Sequence, residues 1–141
     1  MSHSNEKYKH IEQIIKTYFE GCNEANFDKM VACFLPSAIH YFPPDMYDGP
    51  WRGADTIANH WIAAVEKLGS YWTIDNIVVD INKNEAVIEW THFKTKLGVT
   101  LRGSESVSYT HLRAHETDSY LGFRLLREKK RGGGGGGGGG G

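Results

Sequence analysis

In the stretch EKYKHIEQIIKTYFEGCNEA, Ile11, Ile14, Ile15, Tyr18, Phe19 and Cys22 recur at three- and four-residue steps. That spacing lays them along one face of an α-helix. A shorter repeat follows in NEANFDKMVACFLP, with Phe27, Met30, Val31 and Phe34 on one side. Asn26 stands where a cap would start it and Pro36 where it would stop, so the two segments predict a helical hairpin. SAIHYFPP switches to alternation, and its aromatic content predicts a short strand closed by Pro43 and Pro44. DMYDGPWRG predicts a loop from its Asp, Gly and Pro. A third helix is predicted in ADTIANHWIAAVEKLG, with Ile57, Trp61, Ala64 and Val65 on one side and Gly69 past its end. YWTIDNIVVDI and EAVIEWTHFKTK predict two long strands turning at NKNE, and VTLRGSE a third member of the meander. Helices segregated from an antiparallel sheet make an α+β domain.

Length and composition narrow this picture. A chain of 141 residues suits one domain, and 40% hydrophobic and 12% aromatic content supplies a core. No apolar run approaches the roughly 18 residues of a membrane helix, and the polar start carries no apolar stretch of signal-peptide type. Cys22 and Cys33 form no CxxC or zinc spacing, so two reduced core thiols in a cytoplasmic protein are expected. The net charge of −1 averages two unlike pieces: residues 107–141 hold six Lys/Arg against three Asp/Glu, leaving 1–106 at −4. An acidic body gives no electrostatic footprint for nucleic acid.

The basic tail reads differently from the rest. VSYTHLRAHET resembles the in-frame translation of a transposase-type DNA-sequencing adapter, and LGFRLLREKK resembles its continuation into poly-A. The glycines at 132–141 fit a poly-G read. The resemblance implies that 107–141 is not native, that a domain at 1–106 is truncated at its C-terminus, and that 132–141 is disordered. His111, His115 and the basic cluster are then set aside as sites.

Residues 5–105 resemble the nuclear transport factor 2-like superfamily, nearest its SnoaL-like and ketosteroid-isomerase-like members. The resemblance rests on the order and spacing of NFDKMVACF, AIHYFPP, GPWRGADTIANHW, AVIEWT and LRGSE. It implies a cone, with a curved antiparallel sheet wrapped around the helices and a pocket at the open end. It also implies a small hydrophobic molecule as ligand, acid–base chemistry without a cofactor, and a homodimer formed through the sheet. Isomerases of that superfamily place a carboxylate base on the first strand just before a proline. Phe42 stands there instead, which counts against that mechanism. Tyr18 falls near the donor tyrosine of those enzymes and Glu105 near their second acid.

Several residues are candidates for chemistry, each with a plainer alternative. His40 shares a strand face with Phe42, and is either a proton-transfer group or a hydrogen-bonded half-buried histidine. Asp45 and Asp48 lie in the loop at the expected mouth, where Asp45 either orients His40 or is simply solvated. Tyr18 is a pocket donor or core packing. Arg52 either meets an anionic substrate or pairs with a surface acid. Trp51, Trp61, Trp72 and Trp90 either line a pocket for a flat apolar molecule or fill the core. Glu89 and Thr91 share one face of a strand, Trp90 and His92 the other, and sequence leaves open which is concave. His40, His60 and His92 lack metal-ligand spacing, and no metal is expected. No nucleophile elbow, phosphate loop or dinucleotide fingerprint is present. The same fold can also bind or dimerise without catalysis.

Overall fold

The computed structural model describes the backbone of residues 2–42, 49–111 and 121–130. Helix α1 (Ser2–Glu24) carries the predicted face, with Ile11, Ile15, Tyr18, Phe19 and Cys22 all buried. Full burial of a large apolar side chain stabilises by about 1.5–3 kcal/mol, so this stripe anchors the helix. Ala25 turns the chain at φ 54°, and Asn26 caps α2 (Phe27–Val31) as expected, its Oδ1 accepting the Lys29 N–H at 3.1 Å.

Helix α2 stops earlier than its periodicity suggests. Phe34, expected on the helix, opens strand β1 (Phe34–Tyr41), and Pro36 lies inside that strand instead of ending a helix. Proline has no N–H to give a ladder, and the parallel pairing of β1 breaks register between Phe34 and Ile39, across that proline. Trp51–Arg52, expected in a loop, form β2, antiparallel to β1 with Trp51 opposite His40. Helix α3 (Ala54–Leu68) follows and ends at Gly69, whose φ of 67° is left-handed. A side chain at that position would collide with Thr95, whose hydroxyl donates to the Gly69 carbonyl at 2.7 Å.

Strands β3 (Ser70–Asp80), β4 (Glu85–Lys94) and β5 (Val99–His111) form the predicted meander. The register of β3 slips between Ile74 and Asn76, a bulge at Asp75. Trp72 and Ile74 before it, and Ile77 and Val79 after it, all join the core. Asp75 is fixed on the outer face by the hydroxyls of Thr91 at 2.6 Å and Thr73 at 3.3 Å, with Arg102 at 3.5 Å. Such a bulge bends the strand and increases its twist, which curves the sheet around the helices.

The tail, expected outside the domain, continues β5 through 107–111 and supplies β6 (Leu121–Lys130). The expected disorder at 132–141 falls outside the described residues. The sheet order is β2-β1-β6-β5-β4-β3, antiparallel except for the β1–β6 pair. Strand β3 is a sheet edge, and α1 guards it. Asn23 Nδ2 donates to the Trp72 carbonyl at 2.9 Å, and the Trp72 N–H donates back to Asn23 Oδ1 at 2.7 Å. Among the described residues no helix is long and apolar enough to cross a membrane.

Candidate functional site

The inner face of the sheet and the helices packed on it enclose a cavity. Helix α1 contributes Tyr18, Phe19 and Cys22, α3 contributes Trp61, and β3, β4 and β5 contribute Trp72, Trp90 and Glu105. Trp90 faces Gly103 across the β4–β5 ladder, and Glu105 follows two residues on, on the same face. The empty volume, counted out to the mouth, is about 240 Å³. Its interior has room for about one water molecule.

Burial governs the protonation of this wall. The Tyr18 hydroxyl is pushed well above its ordinary range, first by burial and then by the neighbouring Cys22 and Glu105 charges. Burial also pushes the Cys22 thiol well up. Both stay protonated at neutral pH, so Glu105 is the cavity's acid–base group among the described residues. Its side chain is 5% exposed.

His40 stands behind Glu105 and does not line the cavity itself. It is 0% exposed, and its Nε2 lies 3.8 Å from Glu105 Oε2. The His40 Nδ1 is 3.3 Å from the Tyr41 carbonyl, which can only accept, so Nδ1 carries the hydrogen and Nε2 presents a lone pair. Phe42 stacks on the imidazole at 4.3 Å, as their shared strand face implies, and Trp51 and Trp61 close the other sides at 5.7 and 5.6 Å. Burial holds the His40 pKa down to about 3, partly offset by the Tyr41 contact. The imidazole is neutral at neutral pH.

The remaining expected site residues divide by face. Trp61 and Trp90 line the cavity, while Trp51 packs behind it between His40 and His60, whose ring stacks on it at 4.0 Å. Glu89 corrects its expectation: it sits on the outer face, opposite Asn76 and Ser104. Arg52 is exposed, one residue out of phase with buried Trp51, and does not line the described cavity. His92 is on the inner face but is taken up by Ser70, at 2.8 Å, and by stacking on Trp72 at 4.6 Å. Burial and the nearby Lys94 charge lower its pKa to about 4. His40 and His60 thus pack on opposite sides of Trp51, and His92 packs apart from them on Trp72. Among the described residues no three His, Cys, Asp or Glu side chains are grouped to hold a metal. Asp45 lies outside the described residues.

Phe19 and Cys22 also line the cavity, where the sequence marks them only as core, and Trp72 lines it as a tryptophan of the expected aromatic wall. The available signal was Cys22 one helical turn after Tyr18, on the same face.

A family model described as the SnoaL-like domain matches residues 15–115. A crystal structure of a protein of unknown function with a cystatin-like fold, from Methylobium petroleophilum PM1, is 48% identical over 86% of this chain and 76% of its own, with a TM-score of 0.78. A protein with a cystatin-like fold from Caulobacter vibrioides is 15% identical, covering 89% of this chain and 90% of its own at a TM-score of 0.68. An NTF2-like protein of unknown function from Mesorhizobium loti is 12% identical, covering 88% and 93% at 0.67. The last two likenesses show the fold alone. No curated protein matches the chain.

Proposed function

The chain belongs to the SnoaL-like domain family, and from that premise we propose that it takes a small organic molecule into this cavity and moves a proton on it through Glu105, without a cofactor. One observation carries the reading. Glu105 faces the cavity beside two groups held protonated, and a neutral histidine lone pair stands 3.8 Å behind it. In this reading Glu105 touches the substrate and His40 positions Glu105. If that 3.8 Å separation tightens when substrate binds, a protonated Glu105 can donate to the Nε2 lone pair, whereas an ionised one gains nothing from a neutral imidazole. Isomerisation, dehydration and ring closure are the reaction types that such a carboxyl supports, because each removes a proton at one atom and returns one at another.

The test is turnover of a panel of small cyclic ketones and hydroxy compounds by the wild type and by Glu105→Gln. A general acid–base group contributes roughly 10²–10⁴-fold, so a loss of that size is expected in the variant. Turnover unchanged by the substitution overturns the assignment.

The sealing of His40 under Phe42, Trp51 and Trp61 favours one second reading, a pocket that binds and does not convert. Saturable binding of panel members with no turnover by the wild type selects it. Under either reading two copies pair through the outer sheet face, where Tyr71, Val78 and Val87 are exposed and Val78 lies opposite Val87. A monomer in sedimentation equilibrium at micromolar concentration counts against that pairing.

A further inference from the structure

Two tryptophans on the cavity wall, Trp61 and Trp90, are 6% and 4% exposed. The indole Nε1 of each is buried and makes no hydrogen bond among the described residues. A buried donor left unpaired costs about 1–3 kcal/mol, so each one calls for a physical reason. Trp61 has one close at hand. Burial raises the Tyr18 pKa most, and the Trp61 N–H works against that rise, so this N–H is turned towards the phenol oxygen. The Tyr18 hydroxyl and the Cys22 thiol are likewise turned to each other. Trp90 has no such neighbour. It is held on β4 opposite Ile74 and Gly103, whose side chains can accept nothing.

An indole N–H can only donate, so whatever meets it must bring a lone pair. The cavity interior has room for about one water molecule. That space takes a single oxygen atom and little else. An ammonium group has no lone pair to offer, and a full charge of either sign would lose its hydration in so small an enclosure. A hydroxyl would accept, but it would also bury an O–H that needs an acceptor of its own. A carbonyl oxygen only accepts, and brings no donor to satisfy.

We propose that the Trp90 N–H is the seat of one uncharged oxygen acceptor: an ordered water in the free protein, replaced by the carbonyl oxygen of a ketone or aldehyde when the ligand binds. Only that oxygen enters the interior, and the carbon frame of the ligand stays at the mouth. This deepens the reading of the cavity as a small-molecule pocket and rests on it, by naming the group the wall recognises. It does not require turnover.

The test is read on the assigned indole N–H resonances of the isotope-labelled full chain. In the free protein the Trp90 resonance should show cross-relaxation with a long-lived water. The cyclic ketones of the panel, cyclohexanone first, are then titrated beside the same rings carrying an exocyclic methylene in place of the oxygen. A bound ketone should remove the water contact and move the Trp90 N–H downfield. Its methylene isostere should bind at least about fivefold more weakly, because it leaves the donor unpaired. Trp90→Phe keeps a ring and removes the N–H, and should abolish that preference. The wild-type comparison of ketone with isostere needs no variant, so misfolding of Trp90→Phe does not remove the test. A water contact that no ketone of the panel displaces overturns the carbonyl as ligand. Equal affinities for ketone and isostere, or a Trp90 resonance that meets neither water nor ketone, overturn the seat. Turnover by the wild type on the same preparation separates the two claims. Turnover lost in Glu105→Gln with no Trp90 response sinks only the seat, and a Trp90 response with no turnover sinks only the proton-transfer reading.

Discussion

His40 Nε2 lies 3.8 Å from Glu105 Oε2 although the whole of β6 runs between the strands that carry them. Two strand spacings separate β1 from β5, about 9.6 Å in a flat sheet. The two side chains meet because both rise from the concave face and lean over the intervening strand. Their contact therefore reports the curvature of the sheet at its centre.

The two buried histidines should make the fold acid-sensitive. Their folded pKa values, about 3 for His40 and about 4 for His92, lie below the 6.5 of an unfolded chain. Below pH 6.5 the unfolded state binds protons that the native state refuses, so stability is full above 6.5 and falls as pH drops towards the folded values. Each group contributes at most about 1.4 kcal/mol per pH unit over that window. Urea unfolding at pH 7, 6 and 5 should show a falling midpoint, with a shallower fall in His92→Phe. A midpoint constant from pH 7 to 5 contradicts the buried neutral histidines.

Gly103→Val should close the cavity. The new side chain would stand opposite Trp90 on the concave face. Overpacking of this kind costs about 1–3 kcal/mol, and ligand affinity should fall well beyond what that cost explains. Gly103→Ala should sit between the variant and the wild type. A Val variant that binds as the wild type does would place the ligand elsewhere.

Asn23→Ala should loosen the wall at Trp72. It removes both hydrogen bonds that hold the Trp72 backbone to α1, with an expected loss of about 1–3 kcal/mol. Hydrogen exchange at the Trp72 amide is the direct measurement. It should quicken by more than that of Ile74, whose neighbour across the ladder is unchanged. Equal protection in variant and wild type means that the clasp contributes nothing.

The reading of 107–141 as translated adapter makes a separate prediction. A clean read of the source gene past the codon for Ser106 should continue with different letters, and the same letters would refute it. The presence of β6 is compatible with that origin, because a central strand is held by backbone hydrogen bonds that many sequences can supply. The slot itself is indispensable. A chain ending at Ser106 leaves β1 and β5 with unpaired edges, and should aggregate or lose its cooperative unfolding transition. A soluble, cooperatively unfolding 1–106 contradicts this.

Periodicity carried the elements further than the site. The Ile11 to Cys22 stripe, the Asn26 cap, the Gly69 stop and the meander are local patterns, and they appear as read. Phe34 and Pro36 misled because a helical repeat of two turns looks the same whether the chain continues or switches to strand. On β3, strict alternation from Trp72 would carry Asn76 and Val78 inward. The bulge at Asp75 shifts the phase, and Ile77 and Val79 take those places. Alternation on β4 separated Glu89 from Trp90 correctly but could not name the concave face. That depends on where the helices lie. The Glu105–His40 contact joins residues 65 apart in sequence, and no local pattern encodes it.

The strand order also sets a timetable. Strand β1 is synthesised early, but its neighbour β6 is the last of the described strands to be made. Loop closure over so long a stretch is slow, and domains emerge from the N-terminus onwards. Until β6 arrives, the β3–β4–β5 meander and the helices can associate while β1 waits with one side open. Tyr18, His40, Trp61, Trp72, Trp90 and Glu105 have all been synthesised by then. The nascent chain therefore holds every one of these residues before the strand between β1 and β5 is in place, and the site is the last part of the fold to be born.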